Sequence, residues 1–210
     1  MQKILADGAN KLGINLSELQ IEKLLQYLNI LRQWNKVHNL CADASYEHML
    51  SYHLLDSLSV VGSIDLQSKN ILDVGTGAGL PGIVLAIVMP YSNITLLDSK
   101  SKKIIFVNHV VNVLGLKNVT TEILRIEKYK SAKRFDLVIS RAFASLTDFV
   151  TLSARLCADE GILIAMKADP SEFVLGSIVY EDYKIVNIKS LIVPGVNAKR
   201  SLVIVRKTWK

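Results

Sequence analysis

The segment Ile71-Leu72-Asp73-Val74-Gly75-Thr76-Gly77-Ala78-Gly79-Leu80-Pro81-Gly82 constrains the fold more than any other part of the chain. A short apolar run enters a loop in which glycines alternate with single residues, and a strongly apolar stretch, Ile83 to Met89, follows. A strand covered on both faces of a parallel sheet reads as such a run. Glycines just beyond it allow backbone turns that a Cβ obstructs. Open α/β sheets bind ligands at the C-terminal ends of their strands. The order strand, ligand loop, helix is therefore expected here.

The loop admits two frames. Gly77-x-Gly79-x-x-Gly82 formally matches the dinucleotide fingerprint, with Asp98 about twenty residues on as a ribose ligand. The other frame is Asp73-x-Gly75-x-Gly77-x-Gly79. In the dinucleotide fold the first glycine sits directly at the strand end, so that a pyrophosphate docks on the helix N-terminus. Here the strand end is Asp73-Val74-Gly75, which puts a carboxylate where an anion would approach. That arrangement repels pyrophosphate and suits a cationic ligand such as S-adenosylmethionine, whose amino group and sulfonium are positive. Asp98 can still take ribose hydroxyls, and Pro81 fits the first turn of the next helix, where its missing N–H costs nothing.

Around this loop the chain changes texture. Residues 1–62 read as helical: Ser17 to Gln20 fits a capping box, and Ile21, Leu24, Leu25, Leu28, Leu31 and Trp34 recur at helical spacing. A second helical pattern runs from Met49 to Val61. From residue 63 strands alternate with helices: strands over 70–74, 94–97, 119–123, 135–139 and 161–166, helices over 80–89, 102–114 and 146–156. Strands at 183–192 and 201–206 have only a loop between them and must run antiparallel. The pattern predicts an α/β fold, a Rossmann-like sheet (63–210) with a C-terminal antiparallel strand pair and an N-terminal helical cap (1–62), and the loop's fit to S-adenosylmethionine makes that sheet a methyltransferase's.

Charge and cysteine usage narrow the setting. Lys and Arg number 25 against 19 Asp and Glu, a formal charge of +6. Its placement matters more than its total: nine Lys/Arg lie between Asp98 and Arg134, and seven, with no carboxylate, between Tyr183 and Lys210. Clustered charge makes a field that a phosphate backbone feels within about a Debye length. Two cysteines, Cys41 and Cys157, are too few for a disulfide framework and read as structural thiols. The first apolar run stops at Asp7, too short for a signal peptide, and Ile83 to Met89 is too short to span a bilayer. A cytoplasmic protein is expected.

Some methyl-acceptor chemistries leave marks that are missing. There is no Pro-Pro loop of the kind used for exocyclic amino groups, and neither cysteine sits on a glycine- or proline-rich loop suited to a nucleophile. The four histidines show no paired metal-ligand spacing.

Taken together, Trp34-Asn35-Lys36-x-x-Asn39-Leu40, His53-x-x-Asp56-Ser57, the loop from Asp73 to Ile83, Leu96-Leu97-Asp98-Ser99-x-x-Lys102-Lys103, Ser140-Arg141-Ala142-Phe143-Ala144 and Ala165-Met166-Lys167 resemble the RsmG (GidB) family, bacterial enzymes that methylate N7 of a guanine in 16S ribosomal RNA. The chain departs from the family at Cys41, usually Thr, and at Ala168, usually Gly. The resemblance implies S-adenosylmethionine as cofactor, held by Asp73, Gly75, Thr76, Gly77, Gly79, Leu80, Asp98, Ile126, Glu127 and Arg141. It implies that Arg141 faces both cofactor and substrate and positions them, with no general base, because guanine N7 has no proton to lose. Asn39, His53, Lys100, Arg125, Lys167 and Arg200 are the implied RNA contacts. The implied partner is 16S ribosomal RNA or the small ribosomal subunit, with no metal, no membrane and a monomeric state.

The residues alone leave other readings open. Glu127 fits a surface pair with Lys128 or Lys130, His53 and Asp56 fit a helix-to-sheet docking pair, and Lys100 and Arg200 fit solvated charges. A methyltransferase for small molecules, an RNA-binding relative without catalysis and a dehydrogenase are the rival functions.

Overall fold

The computed structural model describes every residue except 44, 65–68, 142, 144, 209 and 210. Ala142 and Ala144 of the Ser-Arg-Ala-Phe-Ala segment therefore lie outside the described residues.

Helices α1 (Gln2–Lys11) and α2 (Glu18–His38) open the chain. The capping box forms as read: Ser17 Oγ accepts from the Gln20 amide, and the Gln20 side chain accepts from the Ser17 amide. The pattern over 49–61 is not one regular helix. It divides into α3 (Tyr46–Met49), a π-helical turn (Leu50–Leu55) and α4 (Asp56–Val61). A π turn inserts one extra residue per turn, which apolar spacing does not register, and such turns gather at functional sites.

The alternating region gives β1 (Asn70–Val74), α5 (Gly82–Val88), β2 (Asn93–Asp98), α6 (Ser101–Leu114), β3 (Val119–Ile123), β4 (Phe135–Ser140), α7 (Leu146–Ser153) and β5 (Cys157–Lys167). Then come β6 (Ile178–Tyr180), β7 (Tyr183–Leu191) and β8 (Arg200–Lys207). The helix expected from Leu80 starts at Gly82, because the loop carries its own turns up to Pro81. The fifth strand starts four residues earlier than read, at Cys157, and the short edge strand β6 was not foreseen.

The sheet order is β3-β2-β1-β4-β5-β8-β7-β6. β3 through β5 run parallel, and β8 turns antiparallel on β5, followed by β7 and β6. The strand order reverses between β1 and β4, so a ligand crevice opens at their C-terminal ends. The β5–β8 register sets Lys167 opposite Ser201, which carries Arg200 to the same end of the sheet.

Two apolar clusters hold the sheet. One joins Leu24, Leu28, Leu31, Leu54 and Leu58 of the helical segment to Ile83, Leu96, Phe106 and Ile139. The other packs Leu72, Val138, Phe149, Val150, Leu163, Tyr183 and Val203 on the opposite face. The helical segment thus shares one core with the sheet. Polar links aim it at the crevice: Tyr27 donates its hydroxyl to the Ala78 carbonyl at 2.8 Å, and Lys103 Nζ donates to the Leu40 carbonyl at 3.0 Å.

Tyr27→Phe keeps the packing and removes the buried donor to Ala78. Leaving that carbonyl without its partner is expected to cost about 1–3 kcal/mol in urea unfolding. No measurable loss would show that water or a neighbour replaces the hydroxyl.

Candidate functional site

The glycine loop is held from three sides. Gly75, Gly77 and Gly79 adopt φ of 69°, 59° and 88°, left-handed values that favour glycine. The Gly75 and Thr76 amides donate to the Leu97 carbonyl at the end of β2, at 2.8 and 3.1 Å. Asp98 Oδ2 accepts from the Gly77 amide at 2.9 Å, and its Oδ1 from the Lys100 amide at 2.8 Å.

Asp73 does not point where the sequence suggested. Its carboxylate is fully buried beneath the loop, where Oδ2 accepts from Thr76 Oγ1 at 2.6 Å and from the Gly82 amide at 2.9 Å. Burial pushes this carboxyl up to about 6 against the lowering by those two hydrogen bonds. Gly82 is required by closeness: a Cβ there would stand 2.1 Å from Leu96 Cδ2 and 2.7 Å from Asp73 Oδ2. Asp73 therefore shapes the loop from below. Asp98 and Glu127 are the carboxylates on the wall of the cavity beside β2.

Three cavities line the crevice and share walls. The first, about 210 Å³, has Leu97, Ile126, Phe143 and Leu152 as apolar walls and Asp98, Glu127 and Arg125 as charged ones. The second, about 160 Å³, is lined by Leu40, Cys41, Thr76, Gly77, Ala78 and Leu80. Gly75 borders both. The third, about 350 Å³, carries His48, Tyr52, Asp56, Met166, Lys167, Ala168 and Arg200. His53 and Arg141 form the boundary between the second and third. The first cavity has two carboxylates and one arginine on its wall; the third has three cationic side chains and one carboxylate.

The first two cavities fit S-adenosylmethionine by chemistry. A flat apolar slot ends in carboxylates that can accept from ribose hydroxyls. Asp98 is already engaged by two amides, yet each carboxylate oxygen keeps a second lone pair.

At the boundary, Arg141 Nη1 donates to the Tyr52 carbonyl at 3.1 Å and to Asp56 Oδ2 at 3.3 Å. Arg200 Nε donates to Asp56 Oδ1 at 3.1 Å, and its Cζ lies 5.5 Å from the Tyr52 ring centroid. Burial raises the Asp56 carboxyl, and the two arginines offset only part of that. His48 stacks on Tyr52 with ring centroids 4.2 Å apart. Burial, then the charge of Arg141, holds His53 down to about 4, so its imidazole is neutral near pH 7. Both ring nitrogens are buried and neither makes a well-formed hydrogen bond among the described residues. Lys167 Nζ donates to the Phe143 carbonyl at 2.7 Å, and burial lowers its pKa.

The sequence-derived residues thus divide. Gly75, Thr76, Gly77, Leu80, Asp98, Ile126, Glu127, Arg125, Arg141, His53, Lys167 and Arg200 line the cavities. Gly79 and Asp73 support the loop from behind. Asn39 is exposed and caps α2 in the left-handed conformation, φ 48°, and Lys100 is exposed at the start of α6. Neither lines the three cavities described above. Cys157 is buried in the core and its thiol is pushed up to about 12; Cys41 lines the second cavity, its thiol also raised by burial.

Asp56, read from the sequence beside His53 as a docking pair, is instead the shared acceptor of two arginines. Two residues were missed. Tyr52 stacks with His48 at i, i+4. Arg155 braces the turn after β3 by donating to the Ile126 and Tyr129 carbonyls, and no local pattern marked it.

Comparison with known proteins places this geometry. The family profile described as rRNA small subunit methyltransferase G matches residues 20–203. A protein named Ribosomal RNA small subunit methyltransferase G from Methylobacillus flagellatus is 44% identical over 203 residues, 97% of each chain. One of the same name from Nitrosococcus oceani is 42% identical, covering 98% of this chain and 94% of the relative. Among solved structures, a mutant of MtNAS in complex with S-adenosylmethionine aligns over 98% of this chain and 77% of its own, with TM-score 0.56 and 18% identity, a likeness of fold.

Two of the perturbed groups, His53 and Asp73, give opposite pH dependences. His53 shifts from an ordinary 6.5 down to about 4, so the unfolded chain takes its proton first and stability falls as pH drops through that window. Asp73 shifts from 3.8 up to about 6, so the folded chain takes its proton first and stability rises as pH drops through that window. Each is worth up to about 3 kcal/mol. Denaturation at about pH 7 and about pH 5 should therefore show His53→Gln gaining stability on acidification relative to the wild type, and Asp73→Asn losing it. Parallel behaviour of both variants and the wild type would contradict these shifts.

Proposed function

The chain belongs to the rRNA small subunit methyltransferase G family, and on that premise we infer that it transfers the methyl group of S-adenosylmethionine to N7 of a guanine in 16S ribosomal RNA. The observation that carries the reading is a run of three cavities: one with apolar walls and two carboxylates borders the glycine-loop cavity at Gly75, and the loop cavity meets, at His53 and Arg141, a third walled by Arg141, Lys167 and Arg200.

S-adenosylmethionine, when bound, supplies an electrophilic methyl group on a sulfonium. Gly75, Thr76, Gly77 and Leu80 would hold its amino-acid end, and Asp98, Ile126 and Glu127 its adenosine. The rest of the work falls to geometry. Guanine N7 attacks with a lone pair and releases no proton, so no side chain need act as a base. Positive charge moves onto the purine during attack, and a neutral imidazole at the boundary adds no repulsion to it. Arg141 is fixed by the Tyr52 carbonyl and Asp56, so it holds one geometry without reorganising during reaction. The basic cavity offers the phosphate backbone a local field that ions screen. In this reading the enzyme works as a monomer, without metal, on the small subunit in the cytoplasm. No helix among the described residues is long and apolar enough to cross a membrane.

The test is transfer of tritiated methyl groups to small ribosomal subunits, or their RNA, from cells lacking this modification, followed by mapping of the labelled base. Label at N7 of one guanine is expected, and Arg141→Gln is expected to lower kcat by about 10²-fold. Absence of label at any guanine N7 would overturn the reading.

A further inference from the structure

Asp56 is 3% exposed and supplies the one carboxylate on the wall of the basic cavity. It sits on α4, in the helical segment, whereas Arg141 follows β4 and Arg200 begins β8. One carboxylate thus ties together three parts of the chain that are far apart in sequence. Its two oxygens are divided between the arginines, Oδ2 to Arg141 and Oδ1 to Arg200. Each arginine is tied a second time, Arg141 to the Tyr52 carbonyl and Arg200 to its neighbour's carbonyl at Lys199. The Tyr52 ring backs the Arg200 guanidinium.

Two guanidiniums on one wall repel each other, and exposed arginines carry much rotamer freedom. A shared carboxylate removes both problems. It offsets one of the two charges and fixes both planes. A guanidinium carries five N–H donors, so groups anchored through Nη1, or through Nε and Nη1, still have N–H groups to offer. Paired planar forks are suited to an oxyanion with several oxygens, above all a phosphate. Lys167 lies on the same wall.

We propose that Asp56 is a positioning residue that clamps Arg141 and Arg200 into a fixed cationic pair, and that this pair, with Lys167, seats one phosphate of the target nucleotide. The inference rests on the reading of the chain as an RNA methyltransferase. The phosphate seat gives that reading its register: backbone contacts position a nucleic acid, and the base is then held at the His53 boundary.

The sign of one substitution separates this from a general field. Asp56→Asn raises the net charge by one. A cavity that works by charge alone would then bind small subunits more tightly, with a lower KM and a steeper salt dependence. The clamp requires the opposite: kcat down at least about tenfold, no fall in KM, and a Kd for S-adenosylmethionine within about twofold of wild type by calorimetry. Arg200→Lys keeps the charge and loses the fork, so it carries the test if Asp56→Asn does not fold. It is expected to lower kcat/KM for small subunits by about tenfold.

The ligand class is read directly by titration with guanosine 5′-monophosphate, guanosine and inorganic phosphate in the presence of S-adenosylhomocysteine. The wild type should prefer the monophosphate to guanosine by about tenfold, and both variants should lose that preference. Equal binding of monophosphate and guanosine, inorganic phosphate binding as tightly as the monophosphate, or unchanged kcat/KM in Arg200→Lys would overturn the seat. A wild type that labels no guanine N7 at all defeats the functional reading itself, whereas normal labelling with indifferent variants defeats only this inference.

Discussion

A single carboxylate that never reaches the ligand organises the site. Asp73, at the end of β1, is wholly buried and must find donors inside the protein, because an unpaired charge in the core is too costly to keep. It finds them in the Thr76 hydroxyl and the Gly82 amide, the two ends of the glycine loop. The loop is thereby bent around a fixed point, with Leu97 and Asp98 stitching it to β2 from the far side. Tyr27 then binds the loop carbonyl of Ala78 from the helical segment. Cap, loop and sheet are thus joined at the crevice by one set of buried polar contacts.

On this frame the charges separate. Carboxylates stand beside the apolar slot suited to the adenosine, the glycine-loop cavity borders that slot at Gly75, and cationic side chains line the cavity beyond. His53 and Arg141 are the wall between the loop cavity and the basic one, the first held neutral by burial and the neighbouring cation, the second held still by Tyr52 and Asp56. A reaction that needs no proton transfer needs this more than it needs a base: orientation, and a wall that does not add to the charge developing on the purine. The π-helical turn contributes by presenting Tyr52 and His53 at the boundary, directly before Asp56 at the start of α4.

Much of this was legible in the sequence because it is periodic or locally constrained. The parallel strands announced themselves as short apolar runs, the loop as alternating glycines, and the antiparallel ending as two strands without room for a crossover helix. Of the cavity-lining residues, Gly75, Asp98 and Arg141 stand at or just beyond strand ends, whereas His53, Ile126, Glu127, Lys167 and Arg200 were named only through the family resemblance. What could not be read was direction and partnership. Asp73 stands at a strand end in both accounts, but whether its side chain faces the crevice or the core depends on the twist of the loop above it. The meeting of Asp56, Arg141 and Arg200 depends on β8 lying beside β5, a long-range register that no local pattern contains. The π turn hid for the same reason that it matters: it breaks the period from which helices are read. Asn39 and Lys100, placed at the site by resemblance, line none of the three cavities.

A crystal structure of the protein with S-adenosylmethionine tests the central division of the crevice most directly. The account predicts adenine between Leu97, Ile126 and Phe143, ribose hydroxyls on Asp98, the amino-acid end on the loop from Gly75 to Leu80, and the methyl group facing the boundary of His53 and Arg141. Adenosine lodged instead among Arg141, Lys167 and Arg200, or a methyl group turned away from that boundary, would contradict it.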